Sequence, residues 1–343
     1  MDFLGLFPPG VAVQALPHWQ RTRLFLQDEG PLQRWRAAAF YPGYRLRARM
    51  FRWLVRAYAA TGAPGSRVSE AGEWPLGDFI AGALDRPGAM AVLVGTPGPA
   101  QKATVQFWDR GGRVIGFVKY GETPAAVRRI EREAAVLTAL PPGRGPRCLK
   151  CAAVGGGHAI LLSPVSGSRV RPNLDPPMAV FDFLRNSRTD APMDVADHPW
   201  PRSLDPAYQD AATRWLGLLS HRRWPAVVQH GDFQPGNLLR GPGGRIAAVD
   251  WEYGTAEGFP FLDLAFYVLQ TAALIYYWPP DTAFSFARNV LMREPWPGLS
   301  LSEAEAVVRL AALNVHCQFA RDGQPAETPL LEWHRRIWDV PLP

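Results

Sequence analysis

His230-Gly231-Asp232-Phe233-Gln234-Pro235-Gly236-Asn237, followed by Val249-Asp250-Trp251-Glu252, decides the reading of this chain. A carboxylate is followed five residues later by a carboxamide, and thirteen residues beyond that by a second carboxylate. Phosphoryl transfer from ATP uses such a set. One Asp orients and deprotonates an attacking hydroxyl, while an Asn and a second Asp hold magnesium on the triphosphate. The flanks suit this chemistry. Ala226-Val227-Val228-Gln229 reads as a short extended segment leading into a loop. Asn237-Leu238-Leu239 and Ile246-Ala247-Ala248-Val249 read as two apolar strands around the turn Gly241-Pro242-Gly243-Gly244. A strand–turn–strand returns Asn237 and Asp250 to one end, where one cation could bridge them.

The stretch resembles the aminoglycoside phosphotransferase and choline kinase-like family, relatives of the protein kinases. That family carries H-G-D-x-x-x-x-N, a short hairpin and a D-x-E/D motif, and all three polar positions stand here at family spacing. The resemblance covers roughly residues 88 to 340. It implies an α+β, bilobal protein-kinase-like fold, with a small antiparallel-sheet N-lobe and a larger, mostly helical C-lobe. The expected division is an N-terminal extension over 1–87 docked on the kinase core, an N-lobe over 88–162, and a hinge and C-lobe over 163–343.

Met90–Val94, Ala103–Trp108 and Val114–Tyr120 read as three strands joined by tight turns, an antiparallel meander. Lys119, near the end of the third, is one of only three lysines among 37 basic residues. The resemblance places it at the kinase position that contacts the ATP phosphates. Its partner belongs on the next helix, Thr123 to Leu140, where Thr123 is the N-cap and Pro124 the first helical residue. Ile130, Ala134, Leu137 and Leu140 form the expected buried stripe. Glu131 and Glu133 are the candidate partners, and Glu133 fits the family pattern better. The turn Gly95–Lys102 lies where the family covers the phosphates, but Pro97 and Pro99 offer no N–H there. His158–Leu162 leading into Ser163-Pro164-Val165-Ser166-Gly167 resembles the family hinge, so Ser163 and Val165 are the candidates to meet adenine.

In the C-terminal part, helices are expected over Met178–Leu184, Leu204–Arg222, Phe266–Tyr276, Ala304–Ala320 and Leu330–Trp338. Phe259-Pro260-Phe261-Leu262-Asp263-Leu264-Ala265 resembles the family segment whose Asp braces the catalytic loop. The apolar run from Phe259 to Trp278 contains Asp263 and Gln270 and reads as a buried helix, not a membrane span. Cys148-Leu149-Lys150-Cys151 has no second pair to complete a zinc site, and reads as two reduced thiols.

The formal charge is +6, and the excess lies toward the N-terminus. Residues 251–343 hold eleven acidic side chains against six Arg. A scattered Arg surplus reads as solvated surface, not as a nucleic-acid footprint. Tyr44 to Arg56 has the spacing of a basic amphipathic helix, with Leu46, Met50, Trp53 and Leu54 near one face. Docking of that face on its own domain is the first reading, and peripheral contact with anionic lipid the second. No targeting or transmembrane segment is recognised, and a cytoplasmic location is expected.

The expected function is an ATP- and Mg2+-dependent phosphotransferase acting on a hydroxyl of a small molecule, such as an aminoglycoside, sugar, amino alcohol or glycan precursor. Asp232 would take the hydroxyl proton, with His230 supporting the loop. Asn237 and Asp250 would hold Mg2+, and Lys119, held by Glu133, would position the phosphates. The acidic C-terminal part favours a neutral or cationic acceptor. A pseudokinase or nucleotide-dependent interaction module is the alternative. A protein kinase ranks last, because no Ala-Pro-Glu signature follows Asp250.

Overall fold

The structure is a computed structural model. It describes residues 2–41, 46–63, 65–70, 72–84, 87–187, 191–293, 298–323, 325 and 327–340. The chain divides into two compact units, Met1–Ala134 with Pro146–Pro164, and Ala135–Gly145 with Val165–Pro343. The fold class is the α+β class expected from the sequence: an antiparallel sheet in the first unit and mostly helices in the second.

The first unit runs β1 (Ala12–Leu16), β2 (Leu24–Gln27), α1 (Pro31–Ala37), α2 (Leu46–Thr61), β3 (Ser66–Val68), α3 (Pro75–Ile80), β4 (Ala89–Val94), β5 (Ala103–Trp108), β6 (Val114–Gly121), α4 (Pro124–Ala139), β7 (Cys148–Val154) and β8 (Gly157–Leu162). One eight-stranded sheet takes the order β3-β1-β2-β4-β5-β6-β8-β7. The expected meander is β4-β5-β6, paired in register from Val94↔Ala103 and Ala103↔Tyr120 outward. The first 87 residues also supply three strands to this sheet, which their sequence did not announce. Leu24↔Leu93 and Leu26↔Ala91 join β2 to β4.

Both faces of the sheet are covered, so its strands alternate between two apolar environments. Phe25, Met90, Val92, Val105, Phe107, Val118 and Tyr120 share one cluster with Leu76, Phe79 and Ile80 of α3. Leu24, Leu26, Ala89, Ala91 and Trp108 share the other with Ala37 of α1 and with Val55 and Ala59 of α2.

That second cluster corrects the expectation for α2. Tyr44 and Arg45 lie outside the described residues. Over the rest of the helix the docked side chains are small: Val55 is 4% exposed and Ala59 0%. Met50, Trp53 and Leu54 face outward, at 64%, 58% and 60% exposed. The helix does dock, but by the stripe opposite to the bulky one. Small side chains let α2 lie close against a face already filled by Leu24, Leu26 and Trp108.

Helix α4 begins as its sequence predicts, with Thr123 Oγ1 accepting from Ala126 N at 3.2 Å. Its close approach to β6 needs Gly121, where an added Cβ would stand 2.6 Å from the Ala126 Cβ. Ile130, Val136 and Leu137 are buried, and so is Glu133, whereas Glu131 is exposed.

The second unit runs β9 (Ser168–Arg169), α5 (Met178–Arg185), α6 (Pro199–Arg202), α7 (Pro206–Leu216), β10 (Val227–Gln229), β11 (Leu238–Arg240), β12 (Ile246–Ala248), β13 (Thr255–Gly258), α8 (Leu262–Thr271), α9 (Pro280–Met292), α10 (Leu301–Arg321) and α11 (Pro329–Trp338). Every residue of α8 is buried, which is why its sequence mimics a membrane span. Among the described residues no helix is long and apolar enough to cross a membrane. Ser300 and Glu303 close a capping box at the start of α10, which runs 21 residues through the core. All three cysteines are free. Burial and neighbouring charges push the Cys151 thiol up to about 11, so it stays protonated at neutral pH.

Candidate active site

The quoted stretch forms a loop between β10 and β11. Gly231 sits at φ 79°, and a Cβ there would meet the Tyr253 carbonyl at 2.5 Å. The chain can turn there only because the side chain is absent. Asp263, in the first turn of α8, fixes both preceding amides. His230 N donates to its Oδ2 at 2.6 Å and Gly231 N to its Oδ1 at 3.0 Å. This is the bracing role expected of Asp263. Burial raises the Asp263 carboxyl to about 7, and the two amide donors pull against that rise.

His230 is buried against Trp251, ring centroids 4.5 Å apart. Its Nδ1 accepts from Asp232 N at 3.2 Å, and its Nε2 lies 3.0 Å from the Val249 carbonyl. Those partners assign the neutral tautomer with the proton on Nε2. His230 thus ties its own loop to the strand leading into Asp250, with both ring nitrogens engaged.

Asp232 is held by two side-chain amides. Gln234 Nε2 reaches both carboxylate oxygens at 3.1 Å, and Asn237 Nδ2 reaches Oδ2 at 2.8 Å and the Asp232 carbonyl at 3.0 Å. The residue is half-buried. Burial first, and the charge of Asp250 second, raise its carboxyl to about 7 against those donors.

The hairpin β11–β12 places the other two polar groups. Leu238↔Ala248 and Leu239↔Ala247 pair, and Val249 N donates to the Asn237 carbonyl at 2.9 Å. Asn237 and Asp250 therefore leave the hairpin at one end. Asp250 occupies the left-handed region at φ 72°, uncommon outside glycine and tolerated best by Asp and Asn.

A cation fits this donor set. Asn237 Nδ2 is committed to Asp232, so Oδ1 is the acceptor that Asn237 can offer. The charge of Asp250 adds to the rise of the Asp232 carboxyl, which a nearby positive charge would relieve. Among the described residues no group of three or more His, Cys, Asp or Glu is arranged to hold a metal. Magnesium bound through phosphates and waters needs only one or two carboxylates.

In the sheet unit, Lys119 Nζ meets Glu133 Oε1 at 2.8 Å and Oε2 at 2.6 Å, both side chains buried. Lys119 stands on the face of β6 opposite Val118 and Tyr120, which serve the core. The Gly95–Lys102 turn is closed on itself by Gly95 N to Lys102 O at 2.8 Å, Gln101 N to Gly98 O at 3.1 Å and Gln101 Nε2 to Gly95 O at 3.1 Å. In the segment whose sequence resembles a hinge, Ser163 N donates to the Arg147 carbonyl at 3.0 Å, and Ser163 Oγ accepts from Arg147 N at 2.9 Å. An adenine contact from Ser163 would thus come through its carbonyl. Val165 is partly exposed on the far side of Pro164.

Two supporting residues escaped the sequence reading. Gln234 grips the carboxylate from inside the motif, at a position the pattern leaves open. Gln318 of α10 donates to the Gly231 carbonyl at 2.9 Å from 87 residues away. No local signal marks either.

Residues 172–291 match the model of the phosphotransferase enzyme family (APH), in agreement with the resemblance drawn from the motif. No curated protein matches the chain by sequence. Among solved structures, an ethanolamine kinase from Plasmodium vivax is 9% identical, with 83% of this chain and 87% of that one covered and a TM-score of 0.47. The choline kinase LicA from Streptococcus pneumoniae is 13% identical, covering 76% and 95%, with a TM-score of 0.48. The macrolide 2'-phosphotransferase MphH from Brachybacterium faecium is 14% identical, covering 74% and 92%, with a TM-score of 0.38. These likenesses assign no substrate. The matched stretch contains the whole of the His230–Asp250 motif.

Proposed function

We propose that the chain transfers the γ-phosphate of ATP, with Mg2+, to a hydroxyl of a small molecule. The observation that carries this reading is the environment of Asp232. Its carboxylate is oriented by Gln234 and Asn237, beside Asp250, with its pKa lifted to about 7. A general base works best when its pKa lies near the operating pH. Asp232 accepts the proton of the acceptor hydroxyl as the hydroxyl oxygen attacks the γ-phosphorus, and the bond from that phosphorus to the bridging oxygen breaks so that ADP leaves. Asn237 Oδ1 and the Asp250 carboxylate would hold Mg2+, whose chemistry when bound would be to neutralise charge on the phosphates. Lys119, fixed by Glu133, pairs with the phosphates. His230 and Asp263 hold the loop and take no proton. Catalysis then rests on positioning and charge neutralisation, with no covalent enzyme intermediate.

Amino sugars and amino alcohols are the acceptors that the acidic surplus beyond Asp250 favours. A pseudokinase remains the second reading, favoured by one observation: the self-bonded Gly95–Lys102 turn, with prolines at 97 and 99. One experiment separates them. A library of hydroxyl compounds is screened for Mg2+-dependent ADP release, with mass spectrometry of the products. A product heavier by one phosphoryl group supports the enzyme. Nucleotide binding without turnover on any compound, sugars and amino alcohols included, favours the interaction module.

A further inference from the structure

The outward face of α2 has no role in the chemistry above, and its composition is unusual. Met50 and Leu54 point away from the docked stripe of Val55 and Ala59. Trp53, Phe51 and Tyr58 flank them, each more than two-fifths exposed. Trp53 stacks edge-on against Trp35 of α1 at 5.8 Å, and Phe51 against Tyr41 at 5.7 Å, so the aromatic flanks are held in place. Arg49, Arg52 and Arg56 run along one side of the helix. Arg56 is anchored by its Nε to the Trp35 carbonyl at 3.0 Å, with the guanidinium over the Trp35 ring at 4.3 Å.

Charge follows the same segment. Residues 31–61 contain seven Arg and no Asp, Glu or Lys. The chain as a whole carries +6, so all the other residues together carry −1. The basic excess first read as scattered is therefore confined to α1, α2 and their connection. A bulky apolar face beside an all-Arg flank is the signature of a helix lying in a membrane interface.

We propose that α2 seats the protein on an anionic lipid surface. Met50 and Leu54, with the flanking aromatics, enter the boundary between headgroups and acyl chains, and the arginines meet lipid phosphates. Arg suits phosphate because its fork bonds two oxygens at once. Other occupants satisfy half of this surface. A second copy of the chain, packed face to face, would oppose two Arg rows with no carboxylate in either segment. A nucleic acid would neutralise the arginines and leave Met50 and Leu54 in water. An exposed apolar patch bordered by one sign of charge calls for a partner that offers both environments. The contact is peripheral, since no described helix spans a bilayer.

The test uses the purified full-length chain and two kinds of vesicle, phosphatidylcholine alone and phosphatidylcholine mixed with phosphatidylglycerol. Wild type should sediment with the anionic vesicles only, and less so as salt rises. Arg49→Gln/Arg52→Gln should lower partitioning by about fivefold for each Arg removed. Met50→Ser/Leu54→Ser should lower it as well, and both variants should melt with the wild type by circular dichroism. Three results would overturn the proposal. Wild type stays in solution with anionic vesicles at low salt. Met50→Ser/Leu54→Ser partitions like wild type while the Arg variant does not, the pattern of a purely electrostatic polyanion site. Or light scattering finds a dimer that the Met50/Leu54 variant dissolves.

Discussion

Glu133→Gln tests the buried ion pair of the sheet unit. The substitution keeps the shape of the side chain and removes its charge. Lys119 Nζ then loses the carboxylate that now meets it at 2.6 and 2.8 Å, and its ammonium stays buried beside a neutral amide. Removing one partner of a buried pair costs about 3–5 kcal/mol. The amide oxygen still accepts one bond, so the lower end, ~3 kcal/mol, applies. For a unit of about 150 residues, each kcal/mol moves the midpoint by roughly 2–4 °C, so Tm should fall by roughly 6–12 °C. Lys119→Met/Glu133→Leu removes both charges at similar volume, and such apolar replacements are often neutral or stabilising. The double variant should therefore melt within a few degrees of wild type. Its Mg2+-dependent ADP release should nevertheless stay depressed by ~100-fold or more, the loss typical of removing one preorganised group that stabilises transition-state charge. Stability and activity thus separate between the single and double variants. The reasoning fails if Glu133→Gln melts with wild type, or if the double variant regains turnover along with its stability.

Asp232→Asn should keep the fold and bind nucleotide, while turnover drops ~100-fold or more; wild-type phosphorylation by this variant would remove Asp232 from the mechanism. Asn237→Ala should raise the Mg2+ concentration needed for half-maximal activity and Asp250→Ala should lose Mg2+-dependent ATP binding, so magnesium titrations matching wild type would overturn the metal assignment. Gly231→Ala should destabilise the loop, because a Cβ would lie 2.5 Å from the Tyr253 carbonyl at a positive φ; undiminished activity and Tm would show that the turn can relax. His334, fully buried, is held at about 3 by desolvation and then by His316. Its folded pKa lies below the unfolded 6.5, so the folded state binds fewer protons and stability falls as pH drops from 6.5 toward 3. Urea midpoints of His334→Leu should show a shallower acid slope than wild type over that window, and an unchanged slope would place the acid sensitivity elsewhere.

The loop from His230 to Asn237 could be read in the sequence because its geometry is local. Asp232 to Asn237 is one turn of chain, and the β11–β12 hairpin that returns Asp250 has its own turn residues. Asp263 was legible for the same reason, as part of a short segment with a family pattern. Gln318 was not, since α10 reaches Gly231 only through tertiary packing. Strands β1 and β2 were hidden likewise, because Leu24 finds Leu93 across almost seventy residues. On α2 the sequence offered two apolar stripes. Size favoured Met50, Trp53 and Leu54 for the core, but the residues of α2 that join the sheet's cluster are Val55 and Ala59. Periodicity gives a helix its faces and does not say which one the neighbours can accommodate.

The pairing of β2 with β4 has a consequence for how this chain can be cut. Ala89-Met90-Ala91-Val92-Leu93-Val94 has no charge, no proline and no glycine. Left at an edge, such a hexapeptide is a template for strand addition by another molecule. The segment Leu24–Gln27 occupies that edge in the native chain. A fragment started near residue 88 to isolate the motif-bearing part would uncover the whole of β4 and aggregate, whatever its catalytic residues. The first 87 residues thus guard that edge, and a fragment that keeps it paired should include β1 and β2.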